Sequence, residues 1–179
     1  GRVVGCDSRP TTKIKKLPIH KQYRDPGALF TQEQIDFISI VTYGPSHAAL
    51  VQSAANHKVP IILCEKPLAT SVGDAVRMVD IAKKNRVKLF TNFSLRKSNQ
   101  FIALKKIVKA KTLGDLVSIH VSIGGARGLA CVGSHYIDLA RWLTNQEPID
   151  VLATLDTANT PNRRGAEFKD PGGVSTVMF

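Results

Sequence analysis

Cys64-Glu65-Lys66-Pro67-Leu68-Ala69 follows the apolar run Val59-Pro60-Ile61-Ile62-Leu63. A buried-type strand there ends in an acid, a base and a proline. Ligands of open α/β sheets bind outside the carboxyl ends of the strands, which is where Lys66 falls. Its ammonium, fixed by the next residue, can hold a substrate hydroxyl or carbonyl oxygen. Taken alone, the segment reads first as an ordinary strand-to-helix turn with a solvated lysine, and the rest of the chain shifts that balance. Other strand-like runs end in similar groups. Asp7, in Cys6-Asp7-Ser8-Arg9, follows residues 2–6. An acid at such a tip accepts from two ribose hydroxyls, and Arg9 can lie on an adenine or meet a 2′-phosphate. Thr42-Tyr43-Gly44, with His47 behind it, closes residues 36–42, and its backbone can pass under a second ribose. Asn92 to Arg96 follows residues 87–91. Arg96 suits a phosphate or a substrate oxygen, or an interdomain salt bridge.

Farther along, Ser134-His135-Tyr136-Ile137-Asp138 sets an imidazole and a carboxylate three residues apart, on one side of a helix. Gly133 lets other backbone come close just before them. A histidine oriented by an acid can take the proton of a hydroxyl as its carbon is oxidised. A lone histidine beside an apolar stripe is more commonly structural. The three cysteines, Cys6, Cys64 and Cys131, stand at no metal-ligand spacing, so no metal site is expected.

These groups need elements to carry them. Residues 2–6, 36–42, 59–64 and 87–91 are short, apolar and β-branched, as strands buried on both faces are. Between them lie helical patterns. Pro45-Ser46 opens one with Ala49, Leu50 and Ala54 at helical spacing. Ser71-Val72-Gly73-Asp74 resembles a capping box, and its helix closes in Lys83-Lys84-Asn85-Arg86, where positive charge suits the dipole. The β-α-β-α-β order implies a parallel sheet with right-handed crossovers. After Arg96 the rhythm changes. A helix over 99–110 is expected to cap at Gly114, and residues 116–123 alternate as a half-exposed strand should. A helix over 134–143 and strands over 149–155 and 173–179 follow. The fold class read here is α/β: a Rossmann-type parallel sheet over residues 1–97, then an α+β domain with an open, mostly antiparallel sheet over 98–179.

Composition bounds the rest. Of 179 residues, 43% are hydrophobic and 22% charged, which are globular values. Lys and Arg outnumber Asp and Glu by 25 to 14, a formal net charge of +11, with clusters at 13–21, 83–88 and 105–111. These read as solvated helix ends ahead of a nucleic-acid surface, because aromatic residues are only 6% and no base-stacking motif occurs. No apolar run reaches membrane-spanning length, and there is no signal-peptide pattern. Cys6 and Cys64 end apolar strands, which predicts small buried thiols and a reduced compartment. The expected location is the cytoplasm.

Together, these residues resemble the Gfo/Idh/MocA family of nicotinamide-dependent sugar and cyclitol oxidoreductases. The match is carried by Val4-Gly5-Cys6-Asp7, by 35–42 with His47, by Glu65-Lys66-Pro67, by Asn92 to Arg96, by Leu113-Gly114-Asp115-Leu116, and by Gly133-Ser134-His135-Tyr136-Ile137-Asp138 with Trp142-Leu143. The resemblance implies hydride transfer between NAD or NADP and a CH–OH group of a sugar, cyclitol or nucleotide sugar. It implies catalytic roles for Lys66 on the reacting oxygen and for His135 as general acid and base. Substrate would meet Asp138, Arg96 and Cys131. Cofactor would meet Asp7, Ser8, Arg9, Thr42, Tyr43, His47, Glu65 and Asn92. The Lys66–Pro67 bond is expected cis, and a homo-oligomer through the C-terminal sheet is expected. Asp7 favours NAD and Arg9 permits NADP.

The chain departs from that family in several places. The glycine-rich loop that receives a pyrophosphate is absent, Tyr43-Gly44 stands where Pro-Asn is usual, and Cys131 stands where a carboxylate is usual. The connection from Ile123 to Cys131 is short, and the second sheet stops at Phe179. An incomplete stretch of a larger enzyme is the expected reason. A non-catalytic relative, serving as a regulatory or scaffolding subunit, is the alternative reading.

Overall fold

β-Branched runs with a helix between each pair can form only a parallel ladder, and they do. In the computed structural model, which describes residues 1–9, 18–123, 128–156 and 170–179, the chain forms two compact units, Gly1–Thr91 and Asn92–Phe179. In the first unit, β3 (Phe37–Ile40), β4 (Ile61–Cys64) and β5 (Lys88–Thr91) pair in parallel with β4 in the middle. The register sets Ile40 beside Cys64 and Cys64 beside Thr91, so all three strands end level. The crossovers are α2 (Gly44–Asn56) and α3 (Val72–Asn85). A separate parallel pair, β1 (Val4–Cys6) with β2 (Lys21–Tyr23), precedes α1 (Pro26–Gln32).

The core lies where α2 and α3 cover one face of β3–β5. Val51, Ala54 and Ala55 of α2, Met78 and Ala82 of α3, and Ile40, Ile62 and Cys64 of the strands are buried together with Phe30 of α1. Each large side chain buried this way stabilises by about 1.5–3 kcal/mol. The expectation of strands buried on both faces is corrected. Phe37, Ile61 and Phe90, which alternate with the core residues, are 53%, 36% and 51% exposed. Among the described residues helices cover one face only, so exposure follows the period-two alternation of the strand.

Local chemistry sets the helix ends. The Ser71 hydroxyl accepts from the Asp74 amide at 3.1 Å, and Arg86, left-handed at φ 59°, ends α3. The expected reciprocal box is replaced: the Asp74 carboxylate accepts from the Ser71 hydroxyl at 2.7 Å instead of reaching back to an amide. A short aspartate favours this nearer donor. α1 starts at Asp25-Pro26, with the Asp25 carboxylate accepting from the Ala28 amide. α1 and β2 were not anticipated, although Asp-Pro is an ordinary helix-start signal.

The second unit holds a 3₁₀ turn (Ser94–Lys97), α4 (Asn99–Ala110), a π turn (Leu129–Gly133) running into α5 (Ser134–Thr144), and the antiparallel pair β6 (Asp150–Leu155) and β7 (Gly173–Met178). α4 ends at left-handed Lys111, and Gly114, expected as its cap, takes its positive φ in a later turn. Residues 116–123, expected as a strand, join no ladder among the described residues, because β6 and β7 pair only with each other. Their apolar side chains stay exposed, Val117 at 95%. Cys6 corrects the expectation of a buried thiol: it is exposed at the end of a strand with one ladder partner, whereas Cys64 at the centre of its sheet is buried. Of the basic cluster at 13–21, residues 13–17 lie outside the described residues. No described helix is long and apolar enough to cross a membrane, and no described His, Cys, Asp and Glu group together as metal ligands.

Candidate active site

In the first unit, parallel pairing brings the ends of β3 and β4 side by side. The Glu65 amide donates to the Ile40 carbonyl at 2.9 Å, which carries the β3–β4 pairing one residue past the strand ends. Glu65, Lys66 and Pro67 then turn toward α3, with the Lys66 amide 3.3 Å from its neighbour's Glu65 carboxylate and the Lys66–Pro67 bond cis. Lys66 is half-buried in this turn. On the adjacent strand end, the Ser46 hydroxyl lies 2.7 Å from the Thr42 hydroxyl and 2.8 Å from the Tyr43 carbonyl, which secures the first turn of α2. Tyr43 itself caps α2 without a side-chain bond and is 60% exposed.

His47, expected among the cofactor contacts, is fully buried. Its Nδ1 is 2.9 Å from the Pro67 carbonyl and its Nε2 is 3.0 Å from the Thr42 carbonyl. Both ring nitrogens are thereby taken by main chain, and the ring presents no surface to a ligand. A contact role is corrected to one inside the scaffold.

The tip of β1 carries Asp7 and Arg9. The Arg9 amide donates to Asp7 at 2.9 Å, and the guanidinium closes on both carboxylate oxygens at 3.3 and 3.2 Å. These bonds hold the Asp7 carboxyl below the usual carboxylate range, first through the Arg9 side chain and then through its amide. Arg9 is pushed up chiefly by Asp7, with a smaller contribution from Tyr43, so the tip of β1 lies within electrostatic range of the α2 cap. Ser8, between them, is exposed. The Cys64 thiol, at the end of β4, is pushed up to about 12 by burial first and by Glu65 second. It is no nucleophile.

In the second unit, Asn92 directly follows β5 in the chain and Phe93 lies edge-on to the His135 ring, 6.1 Å between centroids. Arg96, on the 3₁₀ turn, grips Asp138 of α5 with a two-pronged ion pair. Asp138 is 3% exposed, and the Arg96 side chain 37%. The two were singled out separately as substrate groups, and the structure spends them on each other. The i, i+3 spacing does put Asp138 on the side of α5 that carries His135. Just before α5, a single π turn contains Cys131, whose amide donates to the Asp170 carboxylate at 2.8 Å. The Leu129 amide donates to the Pro171 carbonyl at 3.0 Å, so residues 170–171 fasten this turn. Single π turns recur at functional sites in helices. At the far end of α5, Lys105 donates to the Trp142 and Leu143 carbonyls and lies 5.6 Å from the Trp142 ring. Neither Asp170 nor the Lys105 cap was anticipated, since Asp170 meets the π turn and Lys105 meets α5 from remote parts of the chain.

A carboxylate at the tip of a parallel strand is what a dinucleotide-binding sheet presents to a ribose of its cofactor. Comparison with known proteins bears on this. The model of the oxidoreductase family with an NAD-binding Rossmann fold, Gfo/Idh/MocA, matches residues 3–93. The chain belongs to that family. As a Gfo/Idh/MocA protein it is 37% identical over 114 residues to a D-apiose dehydrogenase of Rhizobium rhizogenes, covering 62% of this chain and 32% of that protein. It is 30% identical over 154 residues to a myo-inositol 2-dehydrogenase of Thermotoga maritima, covering 78% and 45%. Among solved structures it is similar to an Agrobacterium radiobacter oxidoreductase in complex with NAD+, L-tartaric acid and magnesium. The TM-score is 0.79 at 26% identity, over 99% of this chain and 54% of that one. A Lactobacillus plantarum myo-inositol 2-dehydrogenase, 22% identical, shares the fold with a TM-score of 0.75 over 89% and 53%. The chain spans about a third to a half of the length of the curated relatives it matches.

Proposed function

We propose that this chain carries the reacting groups of an NAD(P)-dependent dehydrogenase acting on a CH–OH group of a sugar, cyclitol or nucleotide sugar. The observation that carries the reading is Lys66, set at the carboxyl end of the middle strand of a parallel sheet in a protein of this family. The nicotinamide supplies the hydride acceptor or donor when bound. The residues of the first unit suit such a group. Asp7, its carboxyl held below the usual carboxylate range by Arg9, can accept from ribose hydroxyls, and exposed Arg9 can turn to a 2′-phosphate. Ser8, Thr42, Tyr43, Glu65 and Asn92 complete the cofactor side of the proposal, all at or just beyond strand ends.

Lys66 holds the substrate oxygen and stabilises the negative charge that grows on it. His135 takes the hydroxyl proton during oxidation and returns it during reduction. Asp138 acts through Arg96, whose partly exposed guanidinium is the group of that pair able to meet a substrate oxygen. Cys131 contributes a small side chain at the substrate side. The D-apiose and inositol dehydrogenases among the relatives support a polyol as substrate class. The two-stranded β6–β7 sheet, with Val151 and Leu152 on opposite faces and 61% and 77% exposed, supports assembly of a homo-oligomer there. Three free cysteines support a reducing, cytoplasmic location.

The test is titration of the chain with NADH and NADPH, following nicotinamide fluorescence, then a turnover screen over inositols, apiose and other sugars. Saturable binding and turnover of a polyol are expected. No saturable change with either nucleotide refutes the reading.

A further inference from the structure

We propose that His47 is a positioning residue: a buried imidazole clamp that ties the Glu65-Lys66-Pro67 turn to the end of β3 and so sets where the Lys66 ammonium stands. The inference rests on the role of Lys66 argued above. His47 has no accessible surface, and its two nitrogens meet two carbonyl oxygens that belong to different strand ends, Thr42 after β3 and Pro67 after β4. The sequence separations are 5 and 20 residues, so the second contact joins segments that no local turn would hold together. A carbonyl oxygen only accepts, so each contact is a full hydrogen bond only when the facing nitrogen carries a proton.

A second contact from the same helix face reinforces the clamp. Gly44, three residues before His47 and buried, faces the Pro67 ring and the Thr70 methyl, which a Cβ on it would meet at 3.6 and 3.4 Å. The first turn of α2 therefore holds the turn by packing at Gly44 and by hydrogen bonding at His47. On the other side of Lys66, the Glu65 amide is fixed to Ile40. Lys66 stands between these two anchors, one residue from each, and its backbone has little freedom. Displacing a reacting group by about 1 Å costs on the order of a hundredfold in rate. The geometry thus gives His47 leverage over chemistry it never touches.

The test uses the whole chain and three readouts. Lys66 acetylation by a neutral acylating reagent, without nucleotide and normalised to exposed Lys83, is followed by mass spectrometry. His47→Phe, which fills the ring volume but donates to neither carbonyl, is expected to raise the Lys66 rate about three- to tenfold, the population change that one lost hydrogen bond gives. His47→Gln, able to reach one carbonyl, is expected to fall between. In the native chain, cross-hydrogen-bond NMR couplings from the His47 ring to the Thr42 and Pro67 carbonyl carbons check the clamp even if a variant does not fold. Where the native chain turns over a polyol, His47→Gln is expected to lower kcat at least tenfold with NADH affinity unchanged. An unchanged Lys66 rate in a folded variant, or the absence of both couplings, overturns the proposal. Absence of nucleotide binding with an altered Lys66 rate instead refutes the dehydrogenase reading and leaves the clamp standing.

Discussion

Arg96→Ala tests whether the second unit depends on the ion pair that the structure builds around Asp138. Removing one partner of a fully buried pair costs about 3–5 kcal/mol, because the other charge stays behind without compensation. Asp138 meets that condition at 3% exposure, but Arg96 is 37% exposed, so water can enter where the guanidinium was. The cost therefore falls below that range, to about 2–3 kcal/mol including packing lost with the arginine stem. The reporter is built in: Trp142 is the sole tryptophan and sits one helical turn after Asp138 on α5. In a urea titration followed by its fluorescence, the expected loss moves the midpoint down by about 1–2 M, taking a slope of about 1–3 kcal/mol per molar. The double variant Arg96→Met with Asp138→Leu removes both charges and is expected to regain more than half of the loss. A cost below about 0.5 kcal/mol for Arg96→Ala, the level of an exposed pair, refutes the reasoning.

Lys66→Ala should lower turnover about 10²–10³-fold, the scale for removing one group aimed at developing charge, with NADH binding unchanged; undiminished turnover removes its role. Glu33 is held down to about 2, chiefly by Arg2 and then by Tyr23. Its folded value lies below its unfolded one, so its stabilisation is complete above about 4.5 and is lost as the pH falls toward 2. Glu33→Gln should flatten acid unfolding of the first unit in that window by circular dichroism, and an unchanged slope counts against the Arg2 network. Iodoacetamide at pH 8 should label exposed Cys6 and spare Cys64 until urea is added, read by peptide mass; early labelling of Cys64 contradicts its burial. Ser71→Ala removes the α3 cap and should cost about 1 kcal/mol, whereas Ser71→Asp should restore it.

The parts of this molecule that could be read without coordinates are those that local rules determine. β3, β4 and β5 announce themselves through β-branched runs, and their parallel pairing follows from the intervening helices. Because parallel strands all end on one edge, Thr42 and Lys66 had to fall together once the strands were recognised. The short strand β2 escaped because three residues carry no period. The stretch at 116–123 misled because alternation records which side chains want cover, whereas a strand also needs a partner backbone.

Roles within the site follow a different rule. Arg96 and Asp138 are 42 residues apart, and no spacing announces that each satisfies the other. Singled out separately they look like two substrate groups; paired, they leave one carboxylate buried and one guanidinium half in water. His47 shows the same effect from the opposite side. Beside a strand end it looks like a ligand contact, yet an imidazole has a polar atom at each side of a flat ring, and a helix can bury it only where both find partners. The ends of β3 and β4 offer two carbonyls at the right separation, one beside each ring nitrogen, so the buried ring stands between main-chain partners. A polar residue at a strand end thus reaches the ligand directly only if no nearer backbone or opposite charge claims it first. That competition, settled by residues far off in the chain, buries His47 between two main-chain carbonyls while Lys66, one residue before Pro67, stays half-buried at the end of β4.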